Sequence, residues 1–141
     1  MAFWLFKEEP GSYSFAQLER DGSTTWSGVA NALAQKHLRA VAKGDWIFFY
    51  HTGNEKAVVG IMEATADAKA DPDDQAGKRF VVQVKPVRKL EASVTLAAIK
   101  ADAVFAEWEL VRLSRLSVMP VPAELWQKIE AMASGTAERR K

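Results

Sequence analysis

Two short segments constrain this chain more than anything else in it. Phe3-Trp4-Leu5-Phe6-Lys7 and Trp46-Ile47-Phe48-Phe49-Tyr50-His51 are almost unbroken runs of aromatic and aliphatic residues. Aromatic side chains favour strands, and a short apolar run bounded by turn residues reads as a buried strand. Pro10-Gly11 ends the first run, and Lys43-Gly44-Asp45 is a turn signal before the second. Residues 52–56 then form a hairpin loop, and the return strand runs over 57–65 on Val58, Val59 and Ile61. Residues 80–87 make a third long strand, with Val82 and Val84 on one face and Val81 and Gln83 on the other. Pro86 suggests an edge or a strand end.

Helical signals fall between these strands. Ser14 is placed to cap a short helix over 15–19, closed by Asp21-Gly22. A second helix is expected over 29–40, with Val29, Leu33 and Val41 near one face. Thr95 caps a third over 96–100, residues 105–113 are helical or irregular, and 117–121 form a last strand. Pro122 suits the first turn of a final helix that turns Leu125, Trp126, Ile129 and Met132 inward. Residues 23–28 and 67–77 read as polar loops. The Asp71-Pro72-Asp73-Asp74 stretch lacks the ligand spacing of a calcium loop. Mostly antiparallel strands with peripheral helices make an α+β domain, a curled sheet or small barrel.

At 141 residues the chain fits one domain, residues 1–133, followed by a disordered basic tail over 134–141. There is no cysteine, which excludes disulfides, thiol chemistry and cysteine-based zinc sites. No apolar run reaches the roughly 20 residues of a membrane span, and the N-terminal segment lacks the basic flank and cleavage site of a signal peptide. The expectation is a cytoplasmic monomer, nucleoid-associated if bacterial. The net charge of +1 is uninformative about phosphate binding. Basic clusters at Lys78-Arg79, Lys85 to Lys89, Arg112 to Arg115 and Arg139 to Lys141 are as well explained by solvated surface as by a phosphate track.

Catalysis finds little support. His37 and His51 are the only side chains with a neutral-range ordinary pKa, and there is no metal-binding His pair, nucleophile elbow or P-loop. Glu8 and Glu9 are adjacent on a strand and point to opposite faces, which makes a joint acid–base role awkward. No catalytic residue, cofactor or metal is expected. Trp26 is the more informative residue. It stands among Thr24, Thr25, Ser27 and Gly28 just before a helix, where an indole could stack a planar base while the free N–H groups of the helix start read its edge. A core anchor that folds the loop onto the sheet is the competing reading. Asn31 can donate and accept at a base edge, or sit on a helix surface. Lys7, Tyr50 and His51 end their strands, where side chains can enter a mouth.

These residues also form an ordered pattern. Phe3-Trp4-Leu5-Phe6-Lys7-Glu8-Glu9-Pro10, Tyr13-Ser14-Phe15, Thr25-Trp26-Ser27-Gly28-Val29-Ala30-Asn31, Gly44-Asp45 with Phe49-Tyr50-His51, Val58-Val59-Gly60-Ile61, Leu110-Val111-Arg112 and Arg115 to Val121 follow one another. Together they resemble the EVE domain over about residues 2 to 132. The resemblance implies a PUA-like fold, a curled mixed sheet or pseudo-barrel related to ASCH and YTH domains. It also implies a non-catalytic module that binds DNA or RNA and holds a modified base in an aromatic pocket. On that analogy Lys7, Trp26, Ser27, Gly28, Val29, Asn31, Tyr50 and His51 form the pocket. Glu8, Lys36, Arg39, Arg115, Leu116 and Ser117 lie at its rim or on phosphate.

The chain departs from the family pattern at Ala30, where arginine is common, at Gln35-Lys36 in place of Arg-Asn, and at Glu8 in place of serine. Losing an arginine removes a bidentate donor, and Glu8 places negative charge near the mouth. Lys36 and Arg39 could compensate from the helix. Other readings left open are a metabolite pocket, a protein-interaction module and a nucleic-acid-processing enzyme by fold analogy with ASCH relatives.

Overall fold

The two aromatic runs lie side by side and parallel, with Phe3 opposite Trp46, Leu5 opposite Phe48 and Lys7 opposite Tyr50. The computed structural model describes residues 1–134. Its elements are β1 (Phe3–Glu8), α1 (Phe15–Asp21), β2 (Thr24–Trp26), α2 (Ala32–Arg39), β3 (Trp46–His51), β4 (Ala57–Ala64), β5 (Lys69–Ala70) and β6 (Phe80–Thr95). They continue through α3 (Leu96–Lys100), a 3-10 turn (Ala103–Phe105), α4 (Glu109–Arg112), β7 (Val118–Pro120) and α5 (Ala123–Ser134). The domain is α+β, as the sequence suggests. The strand order is β2-β6-β4-β3-β1-β7, with β5 also pairing β6.

The sheet must curl. Trp26 on β2 lies four strands from β1, roughly 19 Å if the sheet were flat at about 4.8 Å per step. Its ring centroid is instead 5.3 Å from that of Phe6 on β1 and 5.3 Å from that of Phe49 on β3. Phe15, at the start of α1, joins this inner cluster edge-on to Phe49. It lies over Gly60, where a Cβ would stand 2.6 Å from its ring. Helix α2 contacts both β6 and β7 and so bridges the open side of the curl. The opposite face of β1 and β3 is covered by α5. Trp126 stacks on Phe48 at 3.6 Å and on Phe3 at 4.5 Å.

A buried carboxylate ties the pair together at its start. Asp45, directly before β3, accepts hydrogen bonds from the Ala2 and Ala42 main-chain N–H groups and from the Trp4 indole. A charged acceptor with three donors satisfies its own desolvation and pins β1 to the turn before β3.

Several expectations are corrected. Residues 23–28 are not all loop, because Thr24–Trp26 pairs with Gln83 and its neighbours on β6. The second helix begins at Ala32, with Asn31 as its N-cap, and it buries Ala34, Gln35 and Leu38 while Leu33 is exposed. The third strand continues to Thr95 through Pro86, which pairs with Met62 beside a register irregularity where the ladder is already broken. The polar 67–77 segment contains β5. Ser134 ends α5, and the expected basic tail beyond it lies outside the described residues. Predicted caps at Ser14 and Thr95 form, the first as a capping box with Gln17.

Asp45→Ala strands the buried Trp4 indole and frees two part-buried main-chain donors. We expect the unfolding free energy to fall by about 3 kcal/mol or more in urea titration, since each hydrogen bond to a charged group contributes about 1.5–3 kcal/mol.

Candidate functional site

Side-chain alternation along β1 and β3 explains where a cleft forms. Three rows share the outer face: Phe3 with Trp46, Leu5 with Phe48, and Lys7 with Tyr50. Trp126 covers the aromatic side chains of the first two rows. The third row lies in a cleft of about 450 Å³ at the C-terminal ends of the two strands. Its apolar lining is Tyr50, Leu96, Leu110 and Val111, and its charged lining is Lys7, Lys56, Lys100 and Arg115 with Glu8 and Glu9. Thr52, Gly53, Ser114 and Ser117 supply the remaining polar surface.

Lys7 organises the cleft. Its main-chain N–H donates to the Ser117 carbonyl, its ammonium donates to the Ser114 carbonyl at 3.0 Å, and Nζ lies 5.5 Å from the centre of the Tyr50 ring. Burial holds the Lys7 amine below its ordinary pKa and pushes the Tyr50 phenol up. Burial also raises the Glu8 carboxyl, against the lowering effect of the Glu9 N–H that donates to it. Lys56 has the left-handed backbone (φ 45) that few non-glycine residues adopt, and it holds the hairpin by accepting from Leu96 N–H.

The residues singled out from the sequence do not all meet. Lys7, Glu8, Tyr50, Arg115 and Ser117 share the cleft. Trp26 and Ser27 line a second hollow of about 280 Å³ with Ser12, Tyr13 and Thr24, which touches the cleft through Glu8. Trp26 itself is 5% exposed and sits on a strand, so its indole is packed as a core anchor. Tyr50 is 3% exposed, with the Lys7 ammonium over its ring. Neither aromatic presents an open stacking face in this conformation.

His51 is occupied structurally. Nε2 accepts from the Phe15 N–H while Nδ1 meets Glu55 at 2.7 Å, an arrangement of the neutral ring with its proton on Nδ1. Gly28 turns the chain with φ 77. Val29 is buried, and its carbonyl accepts from the Gln35 amide. That amide also receives the Phe80 N–H, so Gln35 clamps α2 to the start of β6. Asn31 Oδ1 accepts from the Ala34 N–H as a helix cap. Arg39 lies over the Phe80 ring and donates to the Lys78 carbonyl, while Lys36 is exposed on α2. Arg39 therefore has a structural task of its own.

Sequence reasoning missed Thr52, Lys56, Leu96, Lys100, Leu110 and Val111 as lining. Leu110-Val111 stood in the family pattern without a role, and Lys56 and Lys100 gave no local signal. Among the described residues no group of three His, Cys, Asp or Glu could hold a metal ion, and no helix is long and apolar enough to cross a membrane.

The EVE-domain family model matches residues 2–132. A Rhodopseudomonas palustris protein solved by NMR is 40% identical, with a TM-score of 0.91 over 96% of this chain and 95% of its own. Human thymocyte nuclear protein 1 is 28% identical over 124 residues, 70% of this chain and 55% of that relative, so the chain spans little more than half its length. The crystal structure of human THYN1 with DNA containing 5-methylcytosine has a TM-score of 0.86 at 24% identity, covering 94% of this chain and 98% of that one. A Zygosaccharomyces rouxii YTH domain with N6-methyladenosine RNA has a TM-score of 0.56 at 18% identity, over 94% and 86%. These last two likenesses concern the fold, which is PUA-like.

The packing of this site generates two expected outcomes. Trp26→Ala empties a core position and should cost about 3–5 kcal/mol of stability, read by chemical denaturation. The Lys7 ammonium should titrate below 10.5 by NMR of its side-chain methylene. Its folded pKa lies below the unfolded one, so its contribution to stability is present above pH 10.5 and is lost as pH falls through the folded value. Lys7→Met should flatten that part of the stability profile.

Proposed function

The chain belongs to the EVE-domain family, and on that premise we propose that it is a non-catalytic nucleic-acid-binding module that seats a modified nucleobase in the Lys7–Tyr50 cleft. The observation that carries this reading is the cleft's composition at base-compatible size. Leucine and valine side chains lie beside Lys7, Lys56, Lys100 and Arg115 in about 450 Å³. The polar edge of a base suits the Ser114, Ser117 and Glu8 side, where a carboxylate accepts from an exocyclic amine. A methyl substituent suits the Leu96, Leu110 and Val111 side, which gains by excluding water. The cations suit the phosphates on either side of the base.

In this reading Lys7 and Tyr50 form the floor. Trp26 acts through the small part of its surface left uncovered beside Glu8, with Ser27, Gly28, Val29 and Asn31 shaping the chain around it. His51 holds α1 against β3, and Leu116 and Ser117 place Arg115 at the rim. The module works as a monomer, cytoplasmic and nucleoid-associated in a bacterium. The relatives with named ligands motivate 5-methylcytosine and N6-methyladenosine as first probes. DNA and RNA forms of each distinguish the polymer.

The test is fluorescence anisotropy with short labelled oligonucleotides carrying either modified base or its unmodified parent. The expected result is tighter binding of one modified form. Lys100→Glu and Arg115→Glu, both at exposed positions, should each weaken it about tenfold and lower the salt slope by about one ion. Equal binding of modified and plain oligonucleotides, unchanged by either charge reversal, would remove the cleft from consideration.

A further inference from the structure

Two exposed leucines beside the cleft have no role in the fold's core. Leu33 on α2 and Leu113, just after α4, are 39% and 37% exposed. They line one hollow of about 320 Å³ together with Leu116, Asn31, Ser114 and Arg115. The sequence pattern assigned Leu33 to the buried face of its helix, and the structure turns it outward instead. Clustered exposed apolar side chains mark a contact surface more often than scattered ones do.

The hollow is continuous with the cleft, because Ser114 and Arg115 line both. Arg115 stands at that boundary and makes no hydrogen bond or ion pair with another described residue. The Asn31 side-chain Oδ1 accepts the helix-cap bond, which leaves its two side-chain amide N–H groups as donors.

We infer that the Leu33–Leu113–Leu116 hollow holds the nucleoside next to the base in the cleft, with Arg115 on the phosphodiester that joins them. This rests on the reading of the cleft as a base site. The chemistry of the two hollows fits a strand rather than a free nucleoside. Two neighbouring recesses share one unpaired cation, and a phosphodiester is the anion that lies between two bases. The aliphatic wall covers the flat face of a base or sugar without reading its edge. The neighbour's presence therefore matters more than its identity, and the ligand is at least a dinucleotide within a single-stranded or splayed segment.

Trinucleotides with 5-methylcytosine or N6-methyladenosine at the centre, intact or abasic on the 5′ or the 3′ side, test this on the unaltered protein. Removing the neighbouring base on one side should weaken binding about tenfold, the scale of a modest apolar burial, and removing the other should change little. The Leu33→Ser/Leu113→Ser double variant should bind the intact trinucleotide as weakly as the unaltered protein binds the sensitive abasic one. It should bind that abasic one with unchanged affinity, since the coupling is then already absent. Full affinity for both abasic trinucleotides, or full affinity of the double variant for the intact one, overturns the inference and leaves the cleft reading standing. No binding of any trinucleotide overturns both.

Discussion

The buried carboxylate of Asp45 sets the arrangement on which the rest of the domain depends. It accepts from Ala2, Trp4 and Ala42, and so fixes where β1 begins relative to β3. Register in a two-faced sheet is unforgiving, because a slip of one residue exchanges the faces. With Phe3 opposite Trp46, the outer face carries two aromatic-bearing rows for Trp126 and a third row of Lys7 and Tyr50. A slip would put Lys7 beside Phe49 or His51 and bring a charge toward the inner cluster. The cleft is thus a consequence of strand register and of where α5 lies.

The inner cluster performs the second essential task. Phe6, Phe49, Phe15 and Trp26 meet inside the curl, and Gly60 leaves room for the Phe15 ring. An edge strand is thereby drawn across the sheet, with α2 bridging the open side. Gln35 secures that helix through the main chain at Phe80, using one amide as both donor and acceptor. Gln35 thus has a structural use here. The same holds for His51, whose two ring nitrogens serve the start of α1 and the hairpin at Glu55.

The cleft differs in kind from these packed parts. Lys7 is partly desolvated, with the Ser114 carbonyl as its hydrogen-bond acceptor, so an anion arriving near it gains more than it would beside a fully hydrated lysine. The aromatic rings of the cleft and of the adjoining hollow are already covered, Tyr50 by Lys7 and Trp26 by the core. A base held on an aromatic face would need Lys7 to swing aside, and a phosphate nearby would favour that movement.

The local pattern of the sequence by itself determined where the longer strands begin, most helix starts and the family outline. Aromatic runs, Ser14 and Thr95 caps and glycine turns act through neighbouring atoms, and those are readable in order along the chain. It put Trp26 in a loop, Leu33 on an inner helix face and Pro86 at a strand end, because a side chain's exposure and a strand's extent depend on partners distant in sequence. Val82 across from Trp26 and Met62 across from Pro86 are such partners. It set Lys7 and Tyr50 at strand ends near one mouth, joined Arg115 to them only through resemblance, and did not see Lys56 or Lys100. Only the tertiary structure decided which charges surround one cleft, because strands β1 and β3, the hairpin, α3 and the 113–117 segment converge there from across the chain. That convergence arises from register and packing, and neither leaves a periodic trace in the sequence.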